Sequence, residues 1–300
     1  MDETSDMTRW DEIAWNGIAF RKPSHWEIAT IGRNYLMLGT RTDPRMEITW
    51  GNLFKKTSHK RSLKQLQTQI RRKHHLTTDP WTPPQDWLQA LPAHEVSGIS
   101  FKESAGNALI VSCTFCNRAS LFQFYQCSSE DPSYFHKIVS KLLSTFRDHS
   151  EDNRQQWAVF DVRAILPAAL QIKSYQFSPG FMTMDFSAKG LGISLYRWSP
   201  ASVLLAGRKL PEFAGSLPFY PGSTSGKQQD VNRMEWEKSP SISLLTRIAT
   251  FLSARFSHHR LLIRHDTETN RILAVRSESR HPMDPVFFAQ IAADYETVTA

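Results

Sequence analysis

A run of cations between positions 55 and 75 has the residue types and spacing best suited to bind a charged partner. It contains eight Lys or Arg residues and no acid: Lys55, Lys56, Lys60, Arg61, Lys64, Arg71, Arg72 and Lys73. Apolar residues recur there at helical spacing (Leu63, Leu66 and Ile70), which predicts an amphipathic helix over 62–73 with an outward cationic face. Such a face attracts phosphates by Coulomb forces and by counterion release. The segment is therefore predicted to contact a polyanion such as nucleic acid; the alternatives are an acidic protein partner or a solvated surface helix.

Cys113 and Cys116 form a C-x-x-C at the tip of a predicted hairpin. Two cysteines at this spacing can each place a thiolate about 2.3 Å from one Zn²⁺, which makes half of a structural zinc site. The sequence has no second C-x-x-C, so the missing ligands would come from His94, or from His265 and Asp266. A redox role is less favoured, because that chemistry uses a helix N-terminus to lower the thiol pKa. The simpler alternative is two small residues in a strand and a turn, without a metal.

The histidines and the common catalytic motifs do not identify an enzyme. Surface imidazoles are predicted at His74, His75, His258, His259, His265 and His281. None has the spacing of a metalloprotease motif, and the sequence contains no G-x-S-x-G, phosphate loop or dinucleotide-binding fingerprint. Catalytic groups assemble in space, so a missing motif lowers the odds of catalysis without excluding it.

A proline-rich stretch with an aromatic residue at each end runs from Trp81 to Trp87. Its two adjacent prolines favour an extended connector that packs both tryptophans on the edge of a domain. An exposed pair of tryptophans would instead form a recognition patch. The packed connector is the preferred interpretation, because tryptophan is commonly buried.

The formal net charge of +7 is unevenly distributed. Residues 55–75 contribute +8, so the rest of the chain sums to 7 − 8 = −1. Three cysteines in 300 residues are too few for a disulfide framework, which indicates a reducing compartment. The acidic start lacks the basic and apolar regions of a signal peptide, and no apolar run approaches the roughly 20 residues of a membrane-spanning helix. The sequence therefore predicts a cytoplasmic protein.

Self-similarity along the chain indicates an internal duplication. An Asn-Arg pair occurs twice, starting at Asn117 and at Asn270, and each is followed at the same distance by an Asp-Pro pair. The difference in residue number between the copies is 142 from Trp15 to Trp157, 148 from Trp50 to Trp198, and 153 from Asn117 to Asn270. A difference that grows steadily is what insertions in loops would produce.

Each copy is predicted to start with strands and to finish with a helix. Alternating residues predict strands over 45–50 and 121–125, and tight turns at 114–117 and 266–270 predict two hairpins. The Asp-Pro pairs at Asp131 and Asp284 predict helix starts, with aspartate as the N-cap and proline at the first helical position.

Two further elements are predicted in the second copy. A helix over 241–256 is taken as the counterpart of the helix over 62–73, and residues 220–230 are predicted to form a loop.

The predicted fold is α+β, with two diverged tandem copies of an antiparallel-sheet-plus-helix module packed as a pseudo-dimer. Copy one spans 1–150 and carries the basic helix and the C-x-x-C, and copy two spans 151–300. The opening pattern of each copy, an extended run followed by proline and then a large apolar residue (Pro23 and Trp26 in copy one), resembles the PsbP/Mog1-like group. The resemblance covers roughly 40 residues per copy and implies only a fold, because function depends on sites rather than on folds.

These features favour a non-catalytic intracellular binding or adaptor protein that contacts a polyanion through the basic helix. One alternative is an enzyme with its site in the cleft between the modules, where binding sites are common. The other is a structural or assembly protein stabilised by zinc at Cys113 and Cys116.

Overall fold

The computed structural model describes residues 9–52, 68, 79–103, 106–116, 118–148, 152–220, 226–239 and 256–298. The protein is mixed α+β, with mostly antiparallel sheets and few helices. The chain divides into two compact units, Met1–His149 and Ser150–Thr299, here called unit 1 and unit 2. No helix among the described residues is both long enough and apolar enough to span a bilayer.

Nine strands and two helices are described in unit 1. The strands are β1 (Trp10–Trp15), β2 (Ile18–Pro23), β3 (Glu27–Gly32), β4 (Tyr35–Gly39), β5 (Pro44–Asn52), β6 (Asp79–Trp81), β7 (Glu95–Glu103), β8 (Gly106–Phe115) and β9 (Arg118–Cys127). The helices are α1 (Gln85–Ala90) and α2 (Pro132–Ser144). β1 and β2 form a hairpin, and the other strands form a seven-stranded sheet in the order β3-β4-β5-β9-β8-β7-β6.

The sheet of unit 1 has apolar side chains on both faces. Four consecutive residues of β8, from Ala108 to Val111, are buried, although successive side chains of a strand point to opposite faces. Burial on both faces means that neither face of this strand is open to water. On one face, Ala108 and Ile110 pack with Ile99 and Phe101 of β7.

Ten strands and three helices are described in unit 2. The strands are β10 (Arg154–Val159), β11 (Val162–Pro167), β12 (Gln171–Ser178), β13 (Phe181–Ala188), β14 (Leu191–Trp198), β15 (Gly226–Asp230), β16 (Arg233–Lys238), β17 (His258–Asp266), β18 (Arg271–Ser279) and β19 (Glu296–Thr297). The helices are α3 (Ala201–Leu205), α4 (Leu210–Gly215) and α5 (Pro285–Ala293). The hairpin of β10 and β11 is extended by β19, and the seven-stranded sheet has the order β12-β13-β14-β18-β17-β16-β15.

The two faces of the sheet in unit 2 are covered by different helices. On one face, α3 and α4 supply Ala201, Leu210 and Phe213 to an apolar cluster that includes Trp198 and Trp236 of the sheet. On the other side α5, with Phe288 and Ile291 buried, contacts β18 and β11. The predicted loop over 220–230 is wrong in part, because Gly226–Asp230 pairs with β16 as the edge strand β15.

The helix starts predicted from the two Asp-Pro pairs are confirmed. Asp131 caps α2 by accepting a hydrogen bond from the backbone N–H of Ser133 at 3.1 Å, with proline in the first turn. Asp284 caps α5 in the same way, through the N–H of Val286 at 2.9 Å. Each carboxylate therefore satisfies one of the N–H groups that a helix start leaves without a partner.

Replacing either cap with alanine is expected to lower the free energy of unfolding by about 1 kcal/mol, because one N–H of the first turn loses its acceptor. Asp131→Ala and Asp284→Ala are measured by urea unfolding followed by circular dichroism. Asp131→Asn is the matched control, since asparagine caps about as well as aspartate. A loss for Asp131→Asn as large as for Asp131→Ala would show that capping is not the cause.

Candidate functional site

The cationic residues predicted to bind a polyanion lie outside the described residues. Thr68, the one described residue of the segment, is helical and exposed, and the rest of the predicted helix over 62–73 lies outside the described residues. The segment 53–78 connects β5, in the interior of the sheet of unit 1, to the edge strand β6. Its binding role stays a prediction.

Cys113 and Cys116 have different environments. Cys113 is buried in β8, and burial, followed by the charge of Asp148, raises the pKa of its thiol to about 12. Cys116 is exposed in the turn after β8, with a backbone φ of 53°. In the parts of the chain that the structure describes, no three or more His, Cys, Asp or Glu side chains are grouped to hold a metal ion.

The residues considered as further zinc ligands already have other contacts. The Nε2 atom of His94 lies 3.6 Å from Oδ2 of Asp148, and its ring packs 5.4 Å from that of Phe115. In unit 2, Asp266 accepts hydrogen bonds from the hydroxyls of Thr269, at 2.7 Å, and Thr297. Burial alone would raise the pKa of Asp266, but these hydrogen bonds outweigh it and the pKa is lowered. The zinc half-site stays a prediction.

The stretch from Trp81 to Trp87 packs both tryptophans on unit 1, as predicted, but it is not extended over its whole length. Helix α1 begins directly after Pro84, and Trp87 on it is fully buried. Its indole N–H donates to the backbone carbonyl of His136 at 3.3 Å, and Trp81 is half-buried against it, with ring centroids 5.4 Å apart. The two tryptophans therefore belong to the packing of unit 1.

The predicted surface histidines are described in unit 2 only. His258, His259 and His265 are half-buried, and His281 is exposed. Burial lowers the pKa of His258, nearby Glu237 opposes this, and the neighbouring His281 and His259 add to it. His259 lies 3.3 Å from a carboxylate oxygen of Glu278.

The structure brings together a carboxylate and two guanidinium groups in unit 2 that the sequence did not indicate. Asp161, in the turn between β10 and β11, accepts hydrogen bonds from Arg197 on β14 at 2.6 and 3.1 Å. Its second oxygen accepts one from Arg271 on β18. Burial favours the neutral acid, but the bonds and charges of Arg271 and Arg197 together lower the pKa of Asp161. This cluster ties the hairpin to the large sheet.

A second polar cluster joins three strands of unit 1. Glu47 on β5 accepts hydrogen bonds from the phenol of Tyr35 on β4, at 2.9 Å, and from that of Tyr125 on β9. Burial, with the hydrogen bond and charge of Glu47, raises the pKa of Tyr35 to about 12. The phenol is thus held in its protonated, hydrogen-donating form at neutral pH, which suits a structural role.

Unit 2 has an open surface cavity of about 390 Å³. It lies between the turn from β13 to β14, the end of β18 and the start of α5. Its lining combines basic residues with apolar ones: Lys189, Arg280 and His281 with Leu191, Met283 and Phe287. Asp284, the cap of α5, also lines it. Sequence patterns gave no sign of the cavity, because its residues come from two separate parts of the chain, 189–191 and 279–287.

The backbone around the cavity is fixed by short-range contacts. Gly190 has a φ of 76°, in the left-handed region that favours glycine, and its carbonyl accepts the N–H of Arg280 at 3.1 Å. A Cβ at Gly190 would lie 3.6 Å from Cδ of Arg280, so the turn leaves room for the arginine stem. The hydroxyl of Ser279 donates a hydrogen bond to the backbone carbonyl of His281 at 2.6 Å.

No protein-family model and no curated protein matches the sequence. Among solved structures, the chain is similar to PsbP from the cyanobacterium Synechocystis, with 6% identity, a TM-score of 0.34, and coverage of 47% of this chain and 92% of that one. It is also similar to the T6SS immunity protein TplEi from Pseudomonas aeruginosa in its apo form, with 8% identity, a TM-score of 0.36, and coverage of 96% and 97%. The same protein in complex with a peptide gives 10% identity, a TM-score of 0.33, and coverage of 97% and 99%. Likeness at these TM-scores carries no inference about function.

Proposed function

We propose that this chain is a non-catalytic binding or adaptor protein that contacts a polyanion, with nucleic acid as the first candidate, through the cations between 55 and 73. The proposal rests on one observation, the segregation of charge. Residues 55–75 carry +8, and the remainder of the chain carries 7 − 8 = −1. Interspersed surface charges of both signs would be expected of a chain whose cations only aid solubility.

The physics of such a contact is the release of counterions. Each phosphate that a Lys or Arg neutralises frees a condensed cation, so affinity falls steeply as salt rises. The contact is therefore tight at low salt and has little dependence on base sequence. We propose that this binding takes place in the cytoplasm, which is supported by the three cysteines being free thiols.

Reversing three of the cations is expected to weaken the binding of single-stranded RNA and duplex DNA at least tenfold at about 50 mM salt. The variant combines Lys64→Glu, Arg71→Glu and Arg72→Glu, and changes the charge of the segment from +8 to +2, since 8 − 6 = 2. Fluorescence anisotropy with labelled oligonucleotides measures both affinity and its salt dependence. The magnitude of the slope of log affinity against log salt is expected to fall by about 2 for RNA and by about 3 for duplex DNA, as contacts to roughly three phosphates are lost.

The matched control reverses three exposed cations elsewhere in unit 1, namely Arg41, Lys102 and Lys137. It changes the net charge equally, and its affinity is expected to stay within about threefold, because the proposed phosphate contacts are made by the cations between 55 and 73 and not by these three. Equal losses in the two triple variants would mean that net charge alone is responsible. Unchanged affinity in the Lys64, Arg71 and Arg72 variant would exclude nucleic acid as the partner.

We also propose that the two units are diverged copies of one module. Support comes from the strand orders, in which β3 to β9 occupy the same places as β12 to β18. A β-bulge interrupts the first strand of each large sheet, after Ile28 and after Ile172, and these positions differ by 172 − 28 = 144. The hairpin turns at Asn16 and Phe160 differ by the same number, and both have positive φ, at 44° and 55°.

An arginine at the start of the equivalent strand in each unit gives the duplication further support. Arg118 starts β9 and donates to the backbone carbonyl of Gly17 at 3.2 Å, in the turn of the hairpin of unit 1. Arg271 starts β18 and donates to the side chain of Asp161, in the turn of the hairpin of unit 2. Residue 161 is 144 beyond residue 17, so an arginine at the same point in each sheet reaches the same point of each hairpin.

Aligning the copies by their strands changes two of the predicted equivalences. Trp15 ends β1 but Val159 ends β10, so Trp157 matches Ile13 and not Trp15. The segment 53–78 joins β5 to β6 and so matches the stretch that carries α3 and α4, between β14 and β15. Residues 241–256 fall between β16 and β17, so they are not the counterpart of 62–73 in this alignment.

A further inference from the structure

We infer that the cavity of unit 2 binds a small organic monoanion, a carboxylate attached to an aromatic or aliphatic body. This site is separate from the cations between 55 and 73, and the inference does not depend on the polyanion proposal. The cavity of about 390 Å³ falls within the range of roughly 300–1,000 Å³ that small-molecule sites occupy.

The cations at the cavity are available to a ligand. Lys189 and Arg280 are both exposed, and neither forms an ion pair with another residue that the structure describes. This differs from Arg197, Arg260 and Arg271 of the same unit, each of which pairs with a carboxylate. A ligand carboxylate would therefore gain charge-assisted hydrogen bonds without displacing a protein partner.

The apolar part of the lining favours a ligand that has a body as well as a charge. Leu191, Met283 and Phe287 are half-buried and line the cavity together with the cations. Sites for small molecules typically combine such apolar walls with a few polar groups that fix orientation. An inorganic anion would leave these side chains without a partner.

The charge of the lining favours a carboxylate over a phosphate monoester. Lys189 and Arg280 contribute +2 and Asp284 contributes −1, so these three side chains sum to 2 − 1 = +1. The Asp284 carboxylate already accepts the N–H of Val286, which keeps it at the start of α5. A monoanion balances this charge, whereas a phosphate monoester carries about −1.5 to −2 at neutral pH.

The test compares 2-naphthoate with its neutral analogue 2-naphthamide by ligand-observed NMR titration of the full chain. A fragment of this size has a dissociation constant of about 1 mM or below if it fills a real site. We expect the amide to bind at least tenfold more weakly than the acid. The variant Lys189→Gln with Arg280→Gln is expected to weaken naphthoate binding at least tenfold, while naphthamide binding changes little.

The matched control removes two exposed cations of unit 2 outside the cavity, Lys173→Gln with Arg208→Gln, and is expected to bind naphthoate as the unaltered chain does. Thermal unfolding midpoints of all variants are measured, because the comparison needs folded variants. Both altered pairs are exposed, so these midpoints are expected to stay unchanged. Equal affinity for acid and amide would overturn the inference. Naphthoate affinity that survives the loss of Lys189 and Arg280, or falls equally in the control, would overturn it too.

Discussion

Replacing Trp87 with alanine is expected to lower the free energy of unfolding by about 3–5 kcal/mol. Trp87 is fully buried on α1. Its ring centroid lies 5.6 Å from that of Phe124 on β9, and its N–H donates to the carbonyl of His136 in α2. Truncation therefore leaves a cavity at the point where Trp87 packs α1 against α2 and the sheet. It also removes the N–H that donates to the carbonyl of His136.

Chemical unfolding followed by far-ultraviolet circular dichroism measures this loss without depending on tryptophan fluorescence. Trp87→Phe keeps most of the apolar contact and is expected to cost less, about 1–3 kcal/mol. Phe160→Ala is the aromatic control, because Phe160 is 53% exposed and removal of its ring leaves no closed cavity. A loss in Trp87→Ala no larger than in Phe160→Ala would show that Trp87 does not hold α1 against the sheet.

The elements that local chemistry determines could be predicted from the sequence. The starts of α2 and α5 follow from Asp131 and Asp284 followed by proline, since the cap and the missing N–H act within one turn of helix. The hairpin of β8 and β9 follows from alternating residues on both sides of a short turn. Both signals involve residues within a few positions of each other, so they do not depend on the rest of the fold.

Elements that depend on burial were predicted less well. Helix α1 has only six residues, too few for a periodic pattern, and it forms where Trp87 can enter the core. Strand β15 follows a glycine-rich and serine-rich stretch that predicts a loop, and it becomes a strand by pairing with β16. In both cases the deciding interaction is with residues outside the segment.

The polar clusters could not be predicted because their members are far apart in the sequence. Asp161 is 36 residues from Arg197 and 110 from Arg271, so no spacing motif connects them. Glu47 and Tyr125 are 78 residues apart and meet because β5 pairs with β9. The cavity is similar. Lys189 lies in the turn between β13 and β14, and Arg280 follows β18, so they come together because β14 pairs with β18. The cations between 55 and 73 were found because charge composition is visible without any fold.

Removing the Asp161 carboxylate is expected to lower the free energy of unfolding by about 2–4 kcal/mol in Asp161→Ala. Breaking a buried ion pair by deleting one partner costs about 3–5 kcal/mol, and the 19% exposure of the Asp161 side chain reduces this through solvent screening. The variant leaves the guanidinium groups of Arg197 and Arg271 facing each other without a carboxylate. Asp185→Asn is the control, because the carboxylate of Asp185 accepts a hydrogen bond from the neutral hydroxyl of Ser174 at 2.8 Å and forms no ion pair with another described residue, and it is expected to cost under about 1 kcal/mol.

The lowered pKa of Asp161 predicts how its contribution to the free energy of unfolding depends on pH. The folded pKa of Asp161 is lowered, so its contribution is fully present above the unfolded value of about 3.9 and is lost as the pH falls through the folded value. Asp161→Asn cannot titrate, so the difference in unfolding free energy between it and the unaltered chain should be largest at pH 7 and shrink below about pH 4. Other acids titrate equally in both proteins and cancel in this difference. A difference that stays constant from pH 7 to about pH 2.5 would mean that Asp161 acts through shape and hydrogen bonding alone, and that the two arginines do not depend on its charge.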